Sequence, residues 1–175
     1  MRAYVLMAVA GILAMPGWAQ AQTDSDPLTA ALAGQYAGVA RNVRAAAEAV
    51  SEGVYGFRPT PDVRTLGELL GHIAEYQYIL CSDAAGEPNP NARQLEEITS
   101  QAEMAGIVAE AIEYCSAVWD RATDEWLLEP SGDPGSQLRV AALAFNNSHT
   151  NEHYGNIVTY LRLNGIVPPS SMPAQ

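Results

Sequence analysis

The chain contains three histidines: His72 in TLGELLGHIAEYQYIL, and His149 and His153 in NNSHTNEHYGNIVTYLRLNG. On a helix, residues four apart project from one face with Cβ atoms about 5–6 Å apart. That spacing lets two imidazoles reach one metal ion at about 2.0–2.1 Å. Two ligands rarely hold an ion, so a third has to come from another element, and His72 is the residue available. An H-x-x-x-H pair also arises by chance, and a histidine on an apolar face is usually a satisfied core residue. Spacing alone therefore leaves metal binding and core packing both open. HTNEH also fits H-x-x-E-H, the inverted zinc-protease signature, with Glu152 as general base. That class takes an acidic ligand downstream, and nothing after His153 is Asp, Glu or His. The protease reading is set aside, and Glu152 is assigned to the flank of its helix.

Four helical patterns must position these residues, with no strand alternation between them. The first opens at Asp26-Pro27, an N-cap followed by the residue best tolerated at the first helical position. Leu32, Tyr36, Val39, Val43 and Val50 mark its apolar stripe, and it ends near Gly53. The second starts near Thr65, with Glu68 completing a capping box, and shows Leu66, Leu69, Ile73, Tyr76 and Leu80 on its core face. His72 borders that face. The third opens at Ser100 with Glu103 and buries Met104, Ile107, Val108, Ala111, Cys115 and Val118. The fourth runs from about Ser136 to Leu163 and stops at Asn164-Gly165.

Four amphipathic helices and no sheet predict an all-α four-helix bundle. The loop between the second and third helices, about 16 residues, is long for antiparallel neighbours and permits a crossover that makes them parallel. His72 then lies about 10 Å from the start of its helix and His153 about 15 Å from the end of its own. If those two helices run antiparallel, the three rings fall at similar depth.

The formal charge is −11 and there is no lysine. A basic stripe able to displace counterions from phosphates is absent, so nucleic-acid binding is not expected. Residues 1–21 read as a cleaved secretory signal: Met1-Arg2, an apolar run from Ala3 to Met15, a Pro16-Gly17 break and the small-x-small Ala19-Gln20-Ala21. The run is short of the about 20 residues that span a bilayer. Residues 22–175 form one domain, expected in the periplasm or outside the cell and not in a membrane. In that oxidising setting Cys81 and Cys115 pair as a disulfide or stay as buried thiols, and the compartment favours the disulfide. Neither reading makes them catalytic.

FRPTPDVRTLGELLGHIAEYQY, the CS closing the second helix and NNSHTNEHYGNIVTYLRLNGIVPP together resemble the DinB-like superfamily, which includes the YfiT-type metal-dependent enzymes. The resemblance covers essentially the whole mature chain. It implies an up-down-down-up bundle and a divalent metal, zinc or nickel, on residues matching His72, His149 and His153, with open positions for water. Ligating histidines need partners that hold their rings. Glu75 and Asn146, each three residues from a histidine, are candidates, and Tyr76, Asn156 and Tyr160 are candidates to line the pocket. Tyr154-Gly155 reads as a close approach between helices and Arg162 as an ion pair near a helix end. The implied function is a metal-dependent enzyme acting on a small molecule, and the resemblance also implies a homodimer. Relatives transfer thiols, but such thiols are cytoplasmic and this chain carries an export signal, so metal-assisted hydrolysis stands beside thiol transfer. The competing class is a non-catalytic metal-binding or self-associating bundle.

Overall fold

The computed structural model describes residues 25–173. The expected signal segment, residues 1–21, lies outside the described residues. The helices are α1 (Pro27–Ala49), the one-turn α2 (Glu52–Tyr55), α3 (Leu66–Ala85), α4 (Gln101–Asp120), the one-turn α5 (Asp124–Leu127) and α6 (Arg139–Leu163). Two 3-10 turns, Leu95–Glu97 and Pro169–Ser171, complete them. Among the described residues there is no strand, only an isolated bridge between Pro130 and Leu138. No described helix is long and apolar enough to cross a membrane.

Helix starts follow local chemistry. Thr65 and Glu68 form a reciprocal capping box, with Glu68 N–H donating to Thr65 Oγ1 at 3.1 Å and Thr65 N–H to Glu68 Oε2 at 2.6 Å. Ser100 accepts from Glu103 N–H at the start of α4. Asp26 occupies the N-cap position of α1 without capping it through its side chain. Its carboxylate instead accepts from Asp124 N–H at 2.8 Å, while Asp124 accepts from Leu28 and Thr29 N–H at 3.2 and 2.8 Å. Each acid thus caps the other's helix, and the two starts are locked together. α6 begins at Arg139, three residues later than the sequence suggested, because Gln137 and Arg139 bond back to Ser131 and Glu129 through the turn ahead of it.

Contacts fix the directions of the four long helices. Tyr36 Oη donates to Ile112 O and Arg44 to Ala109 O, so α1 and α4 are antiparallel. Cys81 pairs with Cys115 and Arg121 with Glu87, so α3 and α4 are parallel. Asn146 reaches Gln77 and Arg139 reaches Ala84, so α6 runs against α3. The order is up-down-down-up, with α3 flanked by α4 and α6. The core is aliphatic: Val43, Leu66, Leu70, Ile73, Met104, Leu127, Leu143, Ile157 and Leu161 are fully buried.

The crossover segment is not a passive link. Leu95 is buried, pinning its 3-10 turn against α3. The turn can lie this close because position 71 is glycine: a Cβ there would meet Leu95 O at 2.5 Å. Gly155, by contrast, is exposed with open space at its Cβ position, so among the described residues no helix approaches there. Arg162 hydrogen-bonds Ser171 Oγ rather than an acid.

Candidate metal centre

α3 and α6 bring the three histidines together. One ligand-capable atom from each of His72, His149 and His153 lies within 4.8 Å of the others. Nε2 of His72 and Nε2 of His149 are 3.1 Å apart. Two nitrogens about 2.05 Å from a tetrahedral ion stand roughly 3.3 Å apart, so the pair is close to that spacing. Ring centroids are 4.5–5.0 Å apart across the three pairs.

His72 and His149 are buried and His153 is half-buried. Burial first, then the neighbouring His153, His72 and Arg64, pushes His149 down to about 4. Burial and His72 also lower His153, against an opposing pull from Glu152. Depressed values keep the rings of His149 and His153 neutral at neutral pH, the form that offers a lone pair to a cation. Among the described residues, Nδ1 of His149 and Nδ1 of His153 are buried without a hydrogen-bond partner. Unsatisfied buried polar atoms cost about 1–3 kcal/mol each, a pattern suited to a cluster completed by something it binds. The donor set therefore fits a borderline divalent cation such as zinc or nickel. Among the described residues no fourth His, Cys, Asp or Glu joins the group.

The proposed ring partners fall elsewhere. The Glu75 side chain makes no hydrogen bond or ion pair within the described residues. Asn146 turns away from the rings toward Gln77 and the two sulfurs. Tyr76 does reach the cluster, stacking on His149 at 4.2 Å and 25° and tilting against His72 at 4.7 Å. The residue that sequence reasoning missed is Glu96. Its Oε1 lies 2.7 Å from His72 Nδ1, and Arg64 holds both its oxygens, at 2.9 and 3.3 Å. Burial raises the Glu96 carboxyl, but hydrogen bonds from Arg64 and His72 outweigh it and the net shift is downward. The available signal was the apolar Leu95 inside a polar loop, which marks the turn that delivers its neighbour.

Beside the rings opens a cavity of about 630 Å³, lined among others by Arg58, Arg64, Glu96, His153, Asn156 and Tyr160. Asn156 is thus at the cavity wall, and Tyr160 Oη donates to Arg64 O at 3.0 Å.

A family model described as the DinB superfamily matches residues 35–157. A crystal structure of a DinB-like protein from Bacillus subtilis is similar, with a TM-score of 0.62 and 21% identity, over 77% of this chain and 92% of that one. Another, from Bacillus cereus, gives 0.63 and 17%, over 75% and 89%. No curated protein matches the sequence.

Proposed function

The chain belongs to the DinB superfamily, and from that premise we propose that it is an exported enzyme using a divalent ion, zinc or nickel, held by His72, His149 and His153. The observation that carries the reading is the convergence of three ring nitrogens within 4.8 Å beside a cavity large enough for a small molecule. Such an ion supplies a Lewis acid that lowers the pKa of bound water or polarises a coordinated carbonyl or thiol. The chain's own residues do the rest. Tyr76 stacks on His149 and fixes its plane, while Arg58, Asn156 and Tyr160 line the space a substrate would enter.

Hydrolysis is the reaction class we favour. The leader-like first 21 residues and the paired Cys81 and Cys115 both suit an oxidising compartment, where cytoplasmic thiol cofactors are not supplied. Thiol transfer, the activity implied by the family resemblance, is the second reading. A closed, non-catalytic metal site would need a fourth protein ligand, and none joins the cluster among the described residues.

Metal analysis tests this directly. The purified protein is expected to take up one equivalent of zinc or nickel, and His72→Ala, His149→Ala and His153→Ala are each expected to lose it. Uptake of one equivalent that survives all three substitutions overturns the site. A screen of esters, lactones and thiol-acceptor electrophiles on the loaded protein then separates hydrolase from transferase, and inertness toward all of them supports a binding module.

A further inference from the structure

Glu96 reaches His72 across 24 residues of chain, from a 3-10 turn between helices. Three independent features place it there. Leu95 anchors the turn in the core. Gly71, one residue before His72, leaves room for the turn's backbone, which any Cβ would strike at Leu95 O and at Glu96 N, 2.5 and 2.9 Å away. Arg64 grips both oxygens of the carboxylate from the other side. An ionised carboxylate can only accept, so the 2.7 Å contact requires His72 Nδ1–H to donate. Nε2 is then the bare nitrogen, and Nε2 is the atom facing His149. Neither His149 nor His153 has an equivalent: both bury Nδ1 without a partner.

We propose that Glu96, anchored by Arg64 and admitted by Gly71, is the positioning residue of the cluster, holding His72 as its Nδ1–H tautomer so that Nε2 is presented for coordination. The consequence for metal affinity rests on the metal reading above; the tautomer does not. Outer partners of this kind, when removed, typically cost 10–100-fold in metal affinity. Arg64 adds a link to the cavity, since it lines that space while orienting Glu96.

The test uses the full chain in two measurements. In the metal-free protein, long-range ¹H–¹⁵N spectra are expected to show His72 protonated on Nδ1, and Glu96→Ala to shift it toward the Nε2–H form. Glu96→Gln, whose amide oxygen still accepts, is expected to keep the native tautomer. In zinc titrations Glu96→Ala is expected to weaken binding 10–100-fold and Glu96→Gln to recover part of the loss. The cobalt(II) absorption bands of Glu96→Ala are expected to shift relative to the unaltered protein, a change that a merely structural role would not produce. Because the Glu96 side chain is one-third exposed, helix content should be unchanged, which circular dichroism checks. The proposal is overturned if His72 carries its proton on Nε2 in the unaltered protein, or if Glu96→Ala leaves tautomer and zinc affinity as they were. Failure of the unaltered protein to bind zinc or cobalt sinks the metal reading instead, and the tautomer still decides the role of Glu96.

Discussion

Between α3 and α6 the chain buries two polar layers. In one, Gln77 donates to Thr150 Oγ1, Thr150 donates to Asn146 Oδ1, and Asn146 donates to Gln77 Oε1, closing a ring at 3.0, 3.2 and 2.9 Å. The same Asn146 amide also contacts Sγ of Cys81 and Cys115, and all three ring members are fully buried. One turn away is the histidine layer, where one nitrogen is bonded outward to Glu96, two come within 3.1 Å of each other, and two are buried with no partner. Burial of polar groups alone does not mark function. A closed hydrogen-bond ring rigidifies a core; a cluster with spare lone pairs invites a ligand.

The contrast can be broken from either side. The largest effect is expected from replacing Cys81 and Cys115 with alanine, because the bridge closes a long loop with a sequence separation of 34. Chain entropy predicts a loss of about 3–4 kcal/mol, read as a lower denaturant midpoint, with metal uptake retained. Next, Asn146→Ala opens the ring and strands the Gln77 oxygen and the Thr150 hydroxyl proton. At about 1–3 kcal/mol per stranded group, a loss near 3 kcal/mol is expected in urea unfolding, again with one metal equivalent bound. The opposite pattern, lost metal with native stability, would show that the two layers are one.

Of the two layers, only the histidine one holds titratable groups, so acid should tell them apart. His149 sits at about 4 in the fold, against about 6.5 when unfolded, so the unfolded chain binds a proton first. Stability of the metal-free protein is therefore expected to be level above about 6.5 and to fall as pH drops from there toward about 4. His149→Leu should make that decline shallower, with His153 carrying the part that remains, measured as thermal midpoints across pH. The smallest stability effect is expected from the same substitution at neutral pH. It removes an unpartnered buried nitrogen and should shift the midpoint less than Asn146→Ala does, while abolishing metal uptake.

Much of this was legible in the chain. The capping box at Thr65, the Ser100 cap, the α4 core from Met104 to Val118 and the meeting of His72 with His149 and His153 all follow from short-range rules, because helical periodicity is local. The same spacing points to Glu75 and Asn146, each three residues from a histidine, but Asn146 bonds Gln77 and the two sulfurs and the Glu75 side chain reaches no ring nitrogen among the described residues. A ring's partner need not share its helix. Glu96 arrives from a loop with no periodicity, and its position depends on a glycine at 71 and a leucine at 95 acting together. Tyr76, on the core face by spacing and a candidate for the pocket, is half-buried and stacks on His149. Asp26 reads as the cap of α1, and its carboxylate caps α5 instead.

That exchange of caps between Asp26 and Asp124 has a practical bearing. It pins the start of α1 beside the end of α4, roughly 20 Å along the axis from His72 at 1.5 Å per residue. A purification handle or surface linker joined at Asp26 is therefore attached at the opposite pole of the bundle from the cavity.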